Sequence, residues 1–313
     1  MIKNKVTKKL TIKDFEMALG EKLSKFVQDS ILSNEFKYKE LSEEQNNELI
    51  LLIIKTLVEE NPVKTGDSRI NDWEIGWEEN LNLLKSKKLK IESLIPKYFS
   101  KYNVVRFNGR FIQPISERFE KNTLSILVDY IFDKYLENNI DNIYEFGCGT
   151  AHNLLQVRKV NTEVNIWGLD WAKSSQKIIA LINKKGIDKK INSHNFNYFK
   201  PDIKFNLGKN SIIYTVASLE QVGNRWEKFI NYLLLQKPKL CIHIEPIEEL
   251  LDKNILLDYL SIKYFEKRNY LSGFLSGLKK LEKQNKIKIL KADRNNIGSL
   301  FIEGYSIIVW QPI

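Results

Sequence analysis

The sequence predicts an α/β protein with a mostly parallel sheet, an antiparallel terminal strand and an N-terminal, mainly helical cap. Short apolar strands alternate with amphipathic helices from about residue 115 onward, which is typical of a parallel sheet with helices on both faces. No helix is expected between the last two strands, so they should pair as an antiparallel hairpin. Residues 1–100 show mainly helical periodicity.

The helical cap is expected over residues 1–114 and is assigned to the substrate region. Ser42 and Gln45 have the spacing of a capping box at the start of a helix. Trp73 and Trp77 are four residues apart, so they share one helix face. The pair either packs in the core or forms the wall of a substrate pocket.

A second domain is expected over residues 115–313, and no Gly/Ser-rich or Pro-rich linker separates it from the cap. A short hairpin or ordered loop over 104–114 and an amphipathic helix over 116–139 lead into it. Strands are then expected at 142–146, 164–169, 191–198, 211–216, 240–245, 286–292 and 300–310, and helices at 151–160, 172–185, 224–236 and 254–284.

The most informative segment is 143–155, which reads Ile-Tyr-Glu-Phe-Gly-Cys-Gly-Thr-Ala-His-Asn-Leu-Leu. A strand passes through a turn with Gly147 and Gly149 into a helix. Glycine lets a backbone approach a ligand closely, and a helix start supplies free N–H groups. Asp170 closes the next strand, roughly 20 residues further on, where a ribose-binding carboxylate belongs. The pattern predicts an adenosine-containing ligand at the carboxyl ends of the strands.

His152 stands where a dinucleotide fingerprint has its third glycine, which weakens an NAD interpretation. The run from Glu145 to Thr150 instead resembles motif I of the class I S-adenosylmethionine (SAM)-dependent methyltransferases. The resemblance covers roughly residues 115–313 and implies a Rossmann-like sheet with SAM as cofactor. In that family the glycine turn passes under the methionine part of SAM, and the acid after the second strand binds the ribose hydroxyls. The resemblance assigns these roles to the glycine turn and to Asp170; a strand–turn–helix without a ligand is the alternative.

Further cofactor contacts are expected around this turn. Glu145 and Cys148 belong to the motif itself, and Trp171 follows the ribose acid directly. The family often places an acid near the adenine amine after the third strand. Here Phe196 or Tyr198 could pack on the ring, and Asn197 could serve through its amide oxygen. Packing in the core or at the rim is the alternative for these residues.

Three residues are candidates for catalysis. Ligands bind outside the carboxyl ends of strands in open α/β sheets, and Glu220 follows the fourth strand while His243 and Glu245 end the fifth. Strand alternation places the last two on one face, where a histidine beside a carboxylate could act as a general base. A buried structural histidine is equally compatible with the pattern.

Anion contacts are also expected, because a guanidinium matches a phosphate or carboxylate. The candidate substrate-binding residues are Arg106, Arg110 and Arg268.

The acceptor is expected to be a hydroxyl or amine of a small or saccharide-like bacterial metabolite. The Asn/Asp-Pro-Pro-Tyr/Phe signature of many amino-group methyltransferases is absent after the fourth strand, as is a cysteine pair suited to pyrimidine C5 chemistry. The net charge of +10 comes from scattered lysines, so nucleic acid is a possible partner but not the favoured one. The alternatives are an RNA or protein methyltransferase and a catalytically silent methyltransferase-fold binding subunit.

A cytoplasmic location is expected, because no signal-like segment follows the basic start and no apolar run reaches the roughly 18–20 residues of a membrane span. The two cysteines suggest no disulfide, and no Cys/His cluster has zinc spacing, so no metal is expected. The oligomeric state is left open.

Overall fold

The computed structural model describes residues 7–86, 91–137 and 139–313. Its N-terminal part is mainly helical, as predicted, but also contains two strands, β1 and β2, that the sequence pattern did not indicate. The predicted hairpin over 104–114 is the β3–β4 pair, and Ser42 caps α3 reciprocally with Gln45. The elements are β1 (Thr7–Lys9), α1 (Ile12–Leu19), α2 (Lys25–Ser33), β2 (Lys37–Glu40), α3 (Glu43–Val58), α4 (Ile70–Lys85), β3 (Val105–Phe107) and β4 (Arg110–Pro114).

The remaining residues alternate between helices and strands, as predicted. No helix in the described ranges is long and apolar enough to cross a membrane. The elements are α5 (Phe119–Tyr135), β5 (Asn142–Phe146), α6 (His152–Val160), β6 (Asn165–Asp170), α7 (Lys173–Lys184), β7 (Ile191–Asn195), β8 (Ser211–Val216), α8 (Glu227–Gln236), β9 (Leu240–Glu245), α9 (Leu256–Arg268), α10 (Phe274–Lys283), β10 (Ile287–Asp293), β11 (Ile297–Gly298) and β12 (Ser306–Pro312).

The main sheet has seven strands in the order β10-β12-β9-β8-β5-β6-β7. Strands β5 to β9 pair in parallel, and β12 runs antiparallel between β9 and β10. The predicted Rossmann-like sheet with an antiparallel terminal strand is therefore confirmed. The strand order reverses at β5, which lies between β6 and β8. Such a reversal opens a crevice at the carboxyl ends of the strands, where ligands bind in open α/β folds.

The central strands are buried on both faces, because helices cover the sheet from both sides. Every residue of β8 and β9 is buried. One core packs α5, α6 and α7 against the sheet, and a second packs α8 and α10 against it. The two cores hold the carboxyl ends of the strands at fixed positions.

A second sheet ties the two ends of the chain together. Its order is β1-β2-β4-β3-β11, and β11 pairs antiparallel with β3. Helix α3 also packs on α9. The region expected as a cap is thus joined to late residues by backbone hydrogen bonds and by helix packing.

Several expected boundaries were wrong. The strand expected over 300–310 begins only at Ser306, because residues 299–305 form an irregular wall segment. The helix expected over 254–284 is broken at Asn269, whose left-handed φ of 54° ends α9. The strand expected over 191–198 ends at Asn195. Helix α5 ends at Tyr135, and residue 138 of the range expected for it lies outside the described residues.

Gly168 in β6 should tolerate no side chain. An added Cβ would lie 2.5 Å from Cδ1 of Ile179 and 2.9 Å from Sγ of Cys148, so Gly168→Ala should lower the free energy of unfolding by about 1–3 kcal/mol through overpacking. Gly76→Ala in α4 is the matched control, because its added Cβ has no neighbour within 4 Å and alanine favours a helix. Urea denaturation measures both variants, and equal stability would contradict this packing.

Candidate functional site

The glycine turn and Asp170 meet at the carboxyl edge of the sheet. Gly147 and Gly149 have left-handed φ values of 72° and 51°, which glycine adopts without steric cost. The carboxylate of Asp170 accepts hydrogen bonds from the N–H groups of Gly149 and Ala172, both at 2.8 Å. Burial raises the pKa of Asp170 to about 6. This carboxylate therefore holds the turn in shape while it also borders a cavity.

The cavity encloses about 700 Å³, part of it open to solvent. Most of the predicted cofactor residues line it, and aromatic side chains from several elements complete it. The predicted lining residues are Gly147, Cys148, Gly149, Asp170, Trp171, Phe196 and Tyr198; those that sequence reasoning did not assign to the cofactor include Trp73, Trp77, Tyr98, His152, Asn153 and Phe199.

Helix α4 supplies one wall of this cavity. Trp73 and Trp77 stack with ring centroids 5.2 Å apart, and a Cβ on Gly149 would lie 2.9 Å from Cζ2 of Trp77. Glu74 anchors α4, because its carboxylate accepts the N–H of Ser174 at the start of α7. The tryptophan pair therefore serves both as packing and as a pocket wall.

Glu145 and Asn197 do not line the cavity. Glu145 is buried and accepts hydrogen bonds from Nδ2 of Asn153 (2.8 Å) and the hydroxyl of Tyr214 (3.0 Å); burial raises its pKa to about 8. It thus positions Asn153, which does line the cavity. Oδ1 of Asn197 accepts the N–H of Phe199 at 2.8 Å and so shapes the turn that presents that ring.

A second cavity of about 1160 Å³, also partly open, adjoins the first. The two share Trp73, Tyr98, Ala217 and Gln221. The remaining walls are rich in tyrosine and phenylalanine and come from the segment after α4, from α9 and from the irregular segment before β12. Two ligands, one bound in each cavity, would meet at the loop that follows β8.

Glu245, at the end of β9, holds that loop in place. Its carboxylate accepts the backbone N–H groups of Ser218 (3.1 Å), Leu219 (3.0 Å) and Glu220 (3.2 Å). The side chain is fully buried, and burial raises its pKa to about 7. Its oxygens face the loop, so the geometry gives Glu245 a positioning role.

Glu220 lines the second cavity and is 8% exposed. It accepts a hydrogen bond from Nε2 of Gln221 at 3.0 Å. Burial and the negative charge of Glu245 raise the pKa of Glu220 to about 8, although Arg268 opposes the rise. A carboxyl that titrates near neutral pH suits a general base.

His243 is a core residue and lines neither cavity. Its Nε2 accepts a hydrogen bond from Nε1 of Trp310, and its Nδ1 lies 3.0 Å from the hydroxyl of Thr215. Burial lowers its pKa to about 3. Both ring nitrogens are engaged inside the protein, so the geometry favours the structural interpretation over the expected general base.

Of the three arginines expected to bind substrate, only Arg268 lines either large cavity. Arg106 is buried, and its guanidinium donates to the carbonyl oxygens of Leu257 and Leu300 and to the hydroxyl of Ser261. Arg110 is exposed on the β3–β4 hairpin. Arg106 therefore ties the wall segment to α9, and the structure does not bring Arg110 to the site.

The sequence matches no protein-family model and no curated protein, but the fold is similar to many solved structures. The methyltransferase domain of bacterial CtHen1 is 16% identical, with a TM-score of 0.44 over 61% of this chain and 98% of that one. The [4+2]-cyclase SpnF is 12% identical, with a TM-score of 0.48 over 80% and 97%. Magnesium protoporphyrin IX methyltransferase from Synechocystis PCC 6803 is 10% identical, with a TM-score of 0.45 over 63% and 87%. Each likeness concerns the fold alone.

The raised pKa of Glu220 predicts a pH-dependent stability. The folded protein favours the neutral form of the Glu220 side chain. The contribution of this side chain to the free energy of unfolding is therefore complete below pH about 4.5 and is lost as the pH rises through about 8. When the pH rises from 6 to 9, the ligand-free Glu220→Gln variant should lose less stability than the ligand-free wild type. Urea denaturation at both pH values measures this. Glu163→Gln is the control, because the side chain of Glu163 is exposed. The same pH dependence of stability in the Glu220→Gln and Glu163→Gln variants would contradict a raised pKa at Glu220.

Proposed function

We propose that the protein is a SAM-dependent methyltransferase that acts on a hydroxyl or amine of a small molecule. The observation that carries the proposal is the pair of adjoining cavities. The first is bordered by the motif-I-like turn and Asp170, the second by Glu220, and they meet at the loop after β8. A saccharide-like acceptor, which the sequence favours, is compatible with the tyrosine-rich walls, because tyrosine offers both a ring face and a hydroxyl.

The residues of the first cavity fit SAM. Asp170 borders this cavity, where its carboxylate would accept the ribose hydroxyls, and the rings of Trp171 and Phe199 lie 6.0 Å apart. Trp73 and His152 also line the cavity, and Nε1 of Trp73 and Nε2 of His152 are buried without a hydrogen-bond partner among the described residues. Buried polar atoms are normally satisfied, so these two atoms support a polar ligand in this cavity.

When bound, SAM supplies an electrophilic methyl group on a sulfonium. Methyl transfer is an in-line displacement, so the protein contributes chiefly by aligning the acceptor atom with the methyl carbon. Glu220 receives the proton that the acceptor loses. Glu245 keeps Glu220 and Gln221 in place through the loop. Trp73 and Tyr98 border both cavities at their junction.

The shape of the second cavity supports a small acceptor. Its walls come from several separate segments of the chain, among them the segment after α4, helix α9 and the segment before β12. An RNA or protein substrate would have to insert a single residue deep between these walls. We therefore place RNA and protein methylation behind small-molecule methylation. A silent binding subunit would hold SAM but transfer no methyl group.

Cofactor choice can be tested by calorimetry with S-adenosylhomocysteine (SAH) and NAD. Wild type should bind SAH and not NAD, and Asp170→Asn should weaken SAH binding about tenfold or more, because a buried charged acceptor is lost. Asp202→Asn is the control, since Asp202 lies away from the cavity and pairs with His194. Unchanged SAH affinity in a folded Asp170→Asn protein would remove the ribose assignment, and tight NAD binding would overturn the proposed function.

Catalysis by Glu220 can be tested with an acceptor found by screening for methyl transfer from labelled SAM. Glu220→Gln should lower kcat by about 10²–10⁴-fold, the usual worth of a general base, and leave SAH affinity nearly unchanged. Glu266→Gln, an exposed α9 residue paired with Lys263, is the charge-matched control. Wild-type kcat in a folded Glu220→Gln protein would assign catalysis to alignment alone.

A further inference from the structure

The second cavity contains a cation, Arg268, that forms no salt bridge with the described residues. Arg268 is the last residue of α9, and its Nε is buried without a hydrogen-bond partner among the described residues. Every other arginine of the chain donates to a carboxylate or a backbone carbonyl. Arg268 has no such partner in the described part of the chain. Its guanidinium instead lies over the ring of Tyr270, 5.3 Å from the centroid.

The position of Arg268 is fixed by the fold. Its backbone carbonyl accepts the N–H of Thr65 at 2.8 Å, and the left-handed Asn269 ends the helix directly after it. The ring of Tyr270 packs against the guanidinium. A guanidinium held in this way presents a preformed fork to a planar anion, so little side-chain entropy is lost on binding.

The other charged residues that line the cavity are Arg69, Lys101, Glu120 and Glu220, and of these Glu220 interacts electrostatically with Arg268. Arg69 is already paired with Asp72 at 2.6 Å, and Lys101 lies over the ring of Tyr102. Glu120 accepts the N–H of Ser100, and burial raises the pKa of this carboxyl. Among the described residues, Arg268 is thus the one cation of this cavity that is partly buried and has no salt bridge. A single cation suits a monoanion better than a doubly charged phosphate.

The rest of the cavity wall suits a ring. Tyr264 stacks on Phe301 with a centroid distance of 4.6 Å and an interplanar angle of 11°, and Tyr305 lies in the same wall. We infer that the acceptor is a ring compound bearing a carboxylate, which Arg268 binds while the acceptor hydroxyl or amine faces Glu220. Both aromatic hydroxy acids and sugar acids have this chemistry. The assignment rests on the proposed methyl transfer, and SAH binding distinguishes failure of one from failure of the other.

Calorimetry in saturating SAH tests the inference with pairs of probes that differ in the carboxylate. The pairs are 4-hydroxybenzoate with 4-hydroxybenzamide, and glucuronate with glucose. Phenyl phosphate is a third probe, which tests whether the site prefers a phosphate to a carboxylate. Wild type should bind the acid of at least one pair about tenfold or more tightly than its neutral partner, as a charge-assisted bidentate contact predicts. Arg268→Gln should abolish that preference without changing SAH affinity.

Two further variants keep the test decisive. Arg118→Gln removes the same charge from an exposed arginine that pairs with Glu92, so it should retain the preference. Arg268→Lys keeps the charge but loses the fork, so it should fold and bind the acid with reduced preference even if Arg268→Gln unfolds.

The inference is overturned if the acid and neutral probes bind equally, if no acid binds at millimolar concentration, if phenyl phosphate binds more tightly than the acids, or if the preference survives in Arg268→Gln and Arg268→Lys. Any of these results together with normal SAH binding would leave the proposed methyltransferase function intact. Absence of SAH binding would remove both.

Discussion

The site depends on one buried carboxylate, that of Glu245. Taking a carboxylate out of water costs several kcal/mol unless hydrogen bonds replace its hydration, and here three consecutive N–H groups of the loop after β8 do so. The loop is thereby forced against the glycine turn: a Cβ on Gly147 would lie only 2.4 Å from Cβ of Ser218. The glycine thus serves the packing of the protein itself as well as any ligand. Ala217 and Gln221, on either side of the held segment, border both cavities.

The region outside the Rossmann-like sheet completes both cavities. Trp73 and Trp77 cover the glycine turn, and the segment before β12 walls the second cavity. A buried ion-pair cluster holds that segment, since Arg294 bridges Asp258 of α9 and Glu303 at 2.6–2.7 Å. An enclosed junction strengthens electrostatic interactions. The burial that raises the pKa of Glu220 would also strengthen the binding of an anion by Arg268, so the proposed base and the proposed anion site have one physical origin.

Much of the fold and of the first cavity could be predicted because the signals are local. Apolar runs of strand length, helical periodicity, two glycines between a strand and a helix, and an acid after the next strand all act over a few residues. Strands β1 and β2 left no such signal, because they are short and rich in exposed lysine. Asn153 was within reach of sequence reasoning, since it is the second residue of the helix that follows the glycine motif.

The sequence by itself determined the parallel sheet, its antiparallel last strand and the turn that faces Asp170, because each depends on neighbouring residues. Only the tertiary structure decided which charged residues reach the site. Arg106, Arg110 and Arg268 are equivalent as sequence. Yet the guanidinium of Arg106 donates to residues 151 to 194 positions away, Arg110 is exposed on a hairpin, and Arg268 lines the second cavity. His243 and Glu245 share a strand face, yet Trp310 and Thr215 occupy the histidine while the loop occupies the glutamate. The role of a charged group is set by its partners, and these partners are brought together only when distant segments pack.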